Sequence, residues 1–364
     1  MKYREVEVYA PTDLGAAGTK TIDINLTDIV SSLEIIWKFT VNTGDALTAP
    51  ISDCISKIEL VDGSDVLFSL SGSEAQALAF YATGVMPHNY ITLKANDEAV
   101  CVIPILFGYK LFDPEYAMDF TKFKNPQLKI TWDEDAANSG VTTNSLSVRA
   151  WAFDEVQPRP RGFLMAKNIK SFTPSANTYE YTDLPLDYPY RLMLLRCKSD
   201  DLSPVSQLSE IKLSEEHDKR IPYDITPSEL FQKIIAPLGR IEEYVRLGES
   251  ANAQTIYTAV THLHDGVIDL AYADADTGAS GTPSPTYSAN KVSIAAKANC
   301  TYYKMIVSGY CPHFCLLLPF GNIHDDRDAY DVRKLKNLRL TLKGASSVGT
   351  NPEVSIILQQ LRYY

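Results

Sequence analysis

The chain repeats part of its own sequence, and this internal repeat constrains its fold more than any other feature. The segment from Asp113 to Asn125 (DPEYAMDFTKFKN) aligns without a gap with the segment from Asp325 to Asn337 (DDRDAYDVRKLKN), 212 residues further on. Six of the thirteen positions are identical. Because the repeats of solenoid proteins are only about 20 to 50 residues long, this distance indicates two copies of one domain.

The repeat extends on both sides of this segment. CVIPILFG from Cys101 corresponds to CLLLPFG from Cys315, and LKIT from Leu128 corresponds to LRLT from Leu338. These flanks alternate or run apolar, as strands do. The repeated unit is therefore predicted to be a strand, a Phe-Gly turn, a short helix and a second strand.

Each copy also carries a signal for the start of a helix. Ser71–Glu74 (SGSE) and Thr226–Glu229 (TPSE) both have the S/T-x-x-E form, whose side chains satisfy free amides of the first helical turn. These two capping boxes lie about 155 residues apart, whereas the repeated segments that begin at Asp113 and Asp325 lie 212 residues apart. The second copy therefore carries an insertion of nearly 60 residues, roughly 237–310.

Composition favours a globular protein of two domains. The 364 residues are 45% hydrophobic, enough for two cores. The first ten residues are charged and strand-like, so we expect no signal peptide, and no apolar run approaches the ~20 residues that span a bilayer. The six cysteines have no framework spacing and are predicted to be buried free thiols in a reducing compartment.

The charge is unevenly distributed along the chain. Residues 1–157 hold 11 Lys and Arg against 22 Asp and Glu, whereas residues 158–364 hold 23 of each. An acidic chain without a basic stripe is a poor direct binder of nucleic acid. The imbalance is either a solvated acidic surface or a means for unlike faces of neighbouring subunits to attract each other.

Short segments rich in β-branched and aromatic residues, separated by Gly, Pro, Asn and Asp, predict an all-β fold of sandwich type with a few short helices. The predicted strands include Thr21–Leu26, Leu33–Val41, Ile55–Leu60, Leu128–Trp132, Leu146–Phe153, Arg191–Cys197, Leu338–Leu342 and Val354–Leu361. The predicted helices are Ser73–Thr83, Pro114–Phe120, Ser228–Ile235, Arg240–Leu247 and Asp328–Leu335.

The predicted domains are residues 1–155 and 163–364, joined by a linker at 156–162. The linker contains two prolines separated by arginine and should be stiff and extended. Within the insertion, Ala273–Asn290 is small, polar and rich in Gly, Pro and Ser, so we expect an exposed loop there.

Three groups of residues were weighed as metal or catalytic sites. His262 and His264 share one face of a predicted strand, and with His324 they partly resemble the cupin metal motifs; however, no Glu lies three or four residues after His264, and the first copy lacks all three histidines. Cys311, His313 and Cys315 would share a strand face, where core packing is the simpler explanation.

The third group comprises the acidic runs 133–135 and 215–218, which are predicted to lie in solvated loops. The chain also has no Gly-rich phosphate loop, no G-x-S-x-G and no C-x-x-C. We therefore predict no catalytic, cofactor-binding or metal-binding residues.

The paired blocks Cys101–Thr131 and Cys315–Thr341, on two tandem sandwiches with a short stiff linker, resemble the double jelly-roll major capsid proteins of the adenovirus-hexon and tailless-bacteriophage lineage. The resemblance implies two tandem eight-stranded antiparallel jelly rolls. It also implies a viral major capsid protein without catalytic activity that forms homotrimers of pseudo-hexameric outline, tiling an icosahedral shell.

The same resemblance implies partners and location. The partners would be further copies of the chain in the trimer and in neighbouring capsomers, a separate penton protein at the vertices, and an internal membrane or minor membrane proteins beneath the shell. The chain would be made in the host cytoplasm and reside in the virion capsid, with no direct contact to nucleic acid. The insertion would form a tower on the outer surface.

Two other functions remain open from the sequence. A β-sandwich adhesin or carbohydrate-binding protein would be a monomer and would usually carry a secretion signal. A bicupin-like metalloenzyme would need His262, His264 and His324 to converge on one site.

Overall fold

A computed structural model describes residues 2–41, 47–93, 96–137, 141–248, 254–274, 285–294 and 300–364. Within them, the first copy of the repeat forms strands and one long helix, in this order: β1 (Tyr3–Thr12), β2 (Ala17–Asp23), β3 (Val30–Val41), β4 (Ile55–Asp62), β5 (Asp65–Leu70), α1 (Gly72–Thr83), β6 (Asn89–Thr92), β7 (Glu98–Leu106), β8 (Pro126–Asp133) and β9 (Val141–Phe153).

The second copy follows the same order up to its helix: β10 (Gly162–Phe172), β11 (Tyr179–Asp183), β12 (Tyr190–Lys198), α2 (Pro204–Gln207), β13 (Leu208–Glu215), β14 (Arg220–Ile225) and α3 (Pro227–Leu230). The insertion then contributes β15 (Ile241–Gly248), β16 (Gln254–Tyr257), β17 (Ile268–Asp274), β18 (Pro285–Ser288), β19 (Lys291–Ile294) and β20 (Cys300–Gly309). The copy ends with β21 (Cys315–Pro319), β22 (Leu338–Gly344) and β23 (Glu353–Tyr363).

The two copies build the same sandwich. In the first, called roll one here, the strand orders are β1-β9-β3-β7 and β2-β8-β4-β5; in the second, roll two, they are β10-β23-β12-β21 and β11-β22-β13-β14. Each strand of roll two holds the place of its counterpart in roll one. Two four-stranded antiparallel sheets connected in this order form an eight-stranded jelly roll. The predicted all-β class with two tandem jelly rolls is confirmed.

The sheets of the two rolls are continuous with each other. β5 of roll one pairs in parallel with β10 of roll two, and this joins two four-stranded sheets into one of eight strands. In the other sheet of roll one, β6 pairs in parallel with β15 of the insertion, which extends that sheet through β20 to β17. Roll one therefore holds roll two on one side and the insertion on the other.

The two predicted capping boxes begin helices. Ser71 and Glu74 exchange side-chain and backbone hydrogen bonds at the start of α1, which ends at Gly84 in the left-handed region at φ 74°. Thr226 and Glu229 do the same for α3, which continues as a helical segment to Ile235. The predictions of Ser73–Thr83 and Ser228–Ile235 as helical are confirmed.

Three other helix predictions were wrong or too long. Arg240–Leu247 lies mostly in β15, where buried and exposed side chains alternate along Ile241–Val245 as in a strand. Asp328–Leu335 contains one short 3₁₀ turn, Val332–Lys334, and the end of another. Pro114–Phe120 is not a helix either: Tyr116 bridges Gly162, and Met118 bridges Val30, so the chain is drawn into contact with strands instead.

The loop predicted at Ala273–Asn290 is only partly described. Residues 275–284 lie outside the described residues, and the expectation for them stays a prediction. Pro285–Ser288 forms β18, which pairs with β19, so the loop prediction was wrong there.

The interior is apolar and its described thiols are unpaired. The five cysteines whose side chains the structure describes, Cys54, Cys101, Cys197, Cys311 and Cys315, are free and buried, as predicted. Within the described part of the chain, no helix has the length and apolar character needed to cross a membrane.

Candidate functional site: the junction between the two jelly rolls

The repeated sequence segment is a pair of capped turns. Asp113 Oδ1 accepts a hydrogen bond from the amide of Glu115 at 3.0 Å, and Asp325 Oδ1 accepts one from the amide of Arg327 at 3.0 Å. Six residues later, Asp119 and Asp331 cap 3₁₀ turns in the same manner. These aspartates are identical in the two copies because each satisfies amides that would otherwise lack a partner.

The glycine of each Phe-Gly pair lies in close contact with the backbone of the turn that follows it in the repeated segment. A Cβ on Gly108 would lie 2.3 Å from the carbonyl oxygen of Tyr116, and a Cβ on Gly321 would lie 2.4 Å from that of Asp328. Gly321 also has φ 73°, a conformation that other residues rarely adopt. The Phe-Gly repeat is therefore explained by packing.

A side-chain link between the rolls lies beside the β5–β10 pairing. Arg362 on β23 donates to both carboxylate oxygens of Asp65 on β5, at 3.0 and 2.5 Å. Hydrogen bonds from Arg362, opposed by partial burial, hold the pKa of Asp65 below its usual range. A planar guanidinium that binds a carboxylate through two parallel bonds also fixes orientation. This pair therefore adds an oriented side-chain contact to the backbone pairing of β5 with β10.

A second link is made at the end of the molecule where the linker enters roll two. Asp326 of roll two accepts hydrogen bonds from Tyr116 Oη at 2.9 Å and from Arg161 Nη2 at 2.8 Å, and Arg161 also pairs with Glu115. Burial, together with the hydrogen bond to Asp326, raises the pKa of the Tyr116 phenol. The linker arginine therefore ties one repeat segment to the other.

A third link lies at the opposite end of the sheets. Asp53 of roll one lies 3.5 Å from Arg196 Nη2 and 3.4 Å from Lys198 Nζ, both on β12 of roll two. Burial alone would raise the pKa of Asp53, but these two cations, together with a hydrogen bond from Ser73, lower the pKa below its usual range. Nearby, Tyr81 Oη on α1 donates to the carbonyl oxygen of Cys315 at 2.7 Å.

A chain of buried polar side chains connects roll one, roll two and the insertion. Gln76 on α1 donates to Asn89 Oδ1 at 2.7 Å, and Asn89 donates to Glu243 Oε1 on β15 at 3.0 Å. At the other end, His313 Nε2 lies 2.9 Å from Gln76 Oε1. Burial raises the pKa of Glu243 and lowers that of His313 to about 3. No pattern in the sequence predicts this network.

The three histidines that a bicupin-like metal site would need do not converge. The rings of His262 and His264 lie nearly parallel with centroids 5.8 Å apart, and His262 Nδ1 lies 2.8 Å from Ser203 Oγ. His324 instead lines a cleft with Tyr109, in another part of the fold. Among the described residues, no group of three or more His, Cys, Asp or Glu is arranged to hold a metal ion.

The other candidate groups have structural partners. Cys311 and His313 do not lie on a strand: both adopt left-handed backbone conformations, in a 3₁₀ turn that precedes β21. Glu215 is only 5% exposed and accepts a hydrogen bond from Arg220, so the prediction of a solvated loop was wrong for this residue. Asp133 caps a short turn between β8 and β9, and because these two strands lie in different sheets, the prediction of a hairpin loop there was wrong.

No protein-family model and no curated protein sequence matches the chain. Solved structures do match, and they define the class of the fold: it is the double jelly roll of viral major capsid proteins. The chain is similar over its whole length to the STIV MCP, with a TM-score of 0.63, 11% identity and coverage of 98% of that chain.

Two further structures show the same similarity. The major capsid protein P2 from bacteriophage PM2 has a TM-score of 0.52 at 10% identity, with 100% of this chain and 98% of that chain covered. The PBCV-1 virus capsid gives 0.56 at 9% identity, with 99% and 93% covered. The resemblance predicted from the repeat is confirmed at the level of the fold.

Proposed function

We propose that this chain is a viral major capsid protein that assembles as a homotrimer of pseudo-hexameric outline and tiles an icosahedral shell. The observation that carries the proposal is the pair of jelly rolls with one strand order, joined edge to edge through β5 and β10 in a single chain. Three such chains supply six similar rolls, and a ring of six packs into near-hexagonal layers.

The junction supports a structural role. Its ion pairs and hydrogen bonds hold the rolls at a fixed angle, as Arg362–Asp65 and Tyr116–Asp326 illustrate. A subunit of a shell needs this rigidity, because a flexible joint between the rolls would lose conformational entropy whenever the subunit forms contacts with its neighbours. The ionisable groups with displaced pKa values at the junction are engaged in structural hydrogen bonds, which favours a protein without catalytic activity, cofactor or metal.

The proposed domains are roll one at residues 1–155, a stiff linker at 156–162 and roll two at 163–364. The insertion at about 237–310 would form a tower on the outer surface of the shell. Its strand β15 extends a sheet of roll one, so the tower rests on both rolls.

The proposed partners are other copies of the chain, in the trimer and in neighbouring capsomers, and a separate penton protein at the vertices. A membrane or minor membrane proteins beneath the shell, and a bacteriophage as the source, follow from the resemblance. The net charge of −11 favours no direct contact with the genome. The site of action would be the virion capsid, after synthesis in the host cytoplasm.

The test is the mass of the purified chain in solution, measured by light scattering behind a sizing column, followed by electron microscopy of concentrated samples. A stable species at three times 40.4 kDa that forms hexagonal arrays or closed shells would support the proposal. A monomer that stays monomeric under all assembly conditions would contradict it and would favour the adhesin alternative.

A further inference from the structure

The two strands that join the rolls have counterparts whose edges are open. β5 and β10 pair with each other within the chain. Their counterparts by strand order are β14 in roll two and β1 in roll one. Among the described residues, β14 pairs only with β13, and β1 pairs only with β9. An open edge presents unpaired amides and carbonyls and is a template for pairing with another chain.

The residues of β1 that correspond to the junction can be identified from its ladder. β1 has a register shift between Glu7 and Tyr9, and β10 has one between Asn168 and Lys170. Superposing the two shifts matches Glu5 with Ala166 and Val6 with Lys167. Ala166 and Lys167 are the residues of β10 that pair with β5.

The same comparison identifies the residues of β14. Phe68 and Ser69 of β5 pair with β10 and lie opposite Leu60 and Glu59 of β4. In roll two, the residues opposite the corresponding positions of β13 are Tyr223 and Asp224. Pro222, which has no amide hydrogen, directly precedes them, so pairing can begin only after it.

The internal ion pair of Asp65 with Arg362 has an equivalent at the two open edges, in which the acidic and basic residues have changed places. Asp65 of the internal ion pair begins β5, as Arg220 begins β14. Its partner Arg362 lies two residues after Gln360, which pairs with Tyr190 at the start of β12. In roll one, the position equivalent to Gln360 is Ala152, which pairs with Val30 at the start of β3. Asp154 lies two residues after Ala152 and is therefore equivalent to Arg362.

We propose that one copy of the chain joins the next by repeating its own internal junction. β14 of one copy pairs in parallel with β1 of the neighbour, Tyr223 opposite Glu5 and Asp224 opposite Val6, and Arg220 pairs with Asp154 of the neighbour. This inference rests on the proposed homotrimer and names its contact surface. The two edges differ, so the contact is head to tail and closes a ring after three copies.

The charged side chains are accessible for this role. Arg220 is 67% exposed and Asp154 is 39% exposed. Each has a partner within its own chain, Glu215 and Arg4 respectively, so the contact would extend existing ion pairs into a network.

A disulfide trap tests the pairing. The double variant Val6→Cys/Asp224→Cys places two cysteines at directly paired positions, within the distance range that a disulfide spans. The five native cysteines whose side chains are described are buried and should not compete. Under mild oxidation we expect a covalent trimer on a non-reducing gel. The matched control is Thr21→Cys/Asp224→Cys, because Thr21 is exposed on β2, an edge of the other sheet of roll one.

The outcomes separate this contact from the proposed function. A covalent trimer from the first pair and none from the control supports the contact. A chain that is trimeric by light scattering but is cross-linked by neither pair, or equally by both, overturns the contact and leaves the capsomer standing. A monomer by light scattering overturns both.

A charge variant provides a second measurement that does not depend on oxidation. Asp154→Arg places like charges together at the contact and should lower the trimer fraction several-fold at low salt and less at high salt. Asp23→Arg makes the same charge change at an exposed position of β2 and should not alter the trimer fraction. Equal effects of the two variants would contradict the contact.

Discussion

Arg362, near the end of the chain, donates two hydrogen bonds to the carboxylate of Asp65, 297 residues earlier. The pair connects the last strand of roll two to the first roll, next to the two backbone positions where their sheets join. The guanidinium also lies 5.9 Å from the ring centroid of Phe163 and 5.7 Å from that of Tyr188. The Arg362 side chain thus combines an ion pair with aromatic contacts at the junction between the two rolls.

A double-mutant cycle should detect this coupling. We expect Asp65→Ala and Arg362→Ala each to destabilise the chain and together to cost about 1 kcal/mol less than their sum, as expected for a partly buried bidentate pair. Chemical denaturation of the four proteins measures the coupling. The comparison pair is Asp183–Arg339, which is more exposed and should couple by only a few tenths of a kcal/mol. Equal coupling energies for the two pairs would contradict a stronger interaction at the junction between the rolls.

Glu243 should make stability depend on pH. Burial raises its pKa above the ordinary carboxyl value, against the hydrogen bonds from Asn89 and the Ala259 amide. The folded state therefore binds this proton more tightly than the unfolded state does. Its contribution is fully present below the unfolded pKa and is lost as pH rises through the folded pKa.

Glu243→Gln should remove this dependence. We expect the stability of the variant to change less between pH 4 and pH 8 than that of the parent, because an amide does not titrate in this range. Thermal unfolding from pH 4 to 8 measures the effect. Glu242→Gln, one residue away on the exposed face of β15, is the matched control and should follow the parent. An unchanged pH profile in Glu243→Gln would refute the assignment.

His262 should act in the opposite direction. Burial and the adjacent His264 lower its pKa to about 4. The folded state therefore favours the neutral ring, so its stabilisation is fully present above the unfolded value of about 6.5 and is lost as pH falls toward 4. Allowing for solvent screening of this partly exposed group, we expect a loss of about 1–2 kcal/mol.

The effect of His262 can be measured by limited proteolysis of the insertion between pH 7 and 4. In the parent, cleavage should increase as the pH falls. His262→Gln should flatten this increase, whereas His88→Gln, at an exposed position, should leave it unchanged. If His262→Gln and the parent responded alike to acid, the histidine would not be the titrating group.

The glycines of the Phe-Gly pairs should not tolerate alanine. Gly108→Ala and Gly321→Ala each place a methyl group against a backbone carbonyl, at 2.3 and 2.4 Å, and should destabilise the chain by about 2–4 kcal/mol. Gly15→Ala, at φ 78° with open space around it, should cost about 1 kcal/mol. Denaturant midpoints measure the three variants, and a loss at Gly321 no larger than at Gly15 would show that conformation rather than contact sets the cost at Gly321.

Local patterns predicted some elements well and others poorly. The capping boxes at Ser71 and Thr226 placed two helix starts correctly, because a cap acts through neighbouring residues. The sequence Asp113-Pro114-Glu115 also resembles a helix start, but Asp113 caps only a turn, because Tyr116 is held by a bridge to Gly162. That bridge depends on a residue of the other roll, which no local pattern contains.

Residues 240–247 failed as a helix prediction for a related reason. β15 obtains its ladder bonds from β6 of roll one and β20 of the insertion, and tertiary pairing outweighed the weak local preference. The buried network through Glu243 was equally invisible, because its members come from α1, β6, β15 and the turn before β21.

The sequence by itself determined the duplication, the all-β class and the capped turns, because each depends on composition, period or neighbours within a few residues. Only the tertiary structure decided how the two rolls meet, through the pairing of β5 with β10 and side-chain contacts such as that of Asp65 with Arg362. It also decided that, within the part of the chain that the structure describes, β1 and β14 each pair on one side only, while their counterparts β10 and β5 pair on both. Contacts between distant segments depend on how twisted sheets dock against each other, and a one-dimensional pattern carries no record of that geometry.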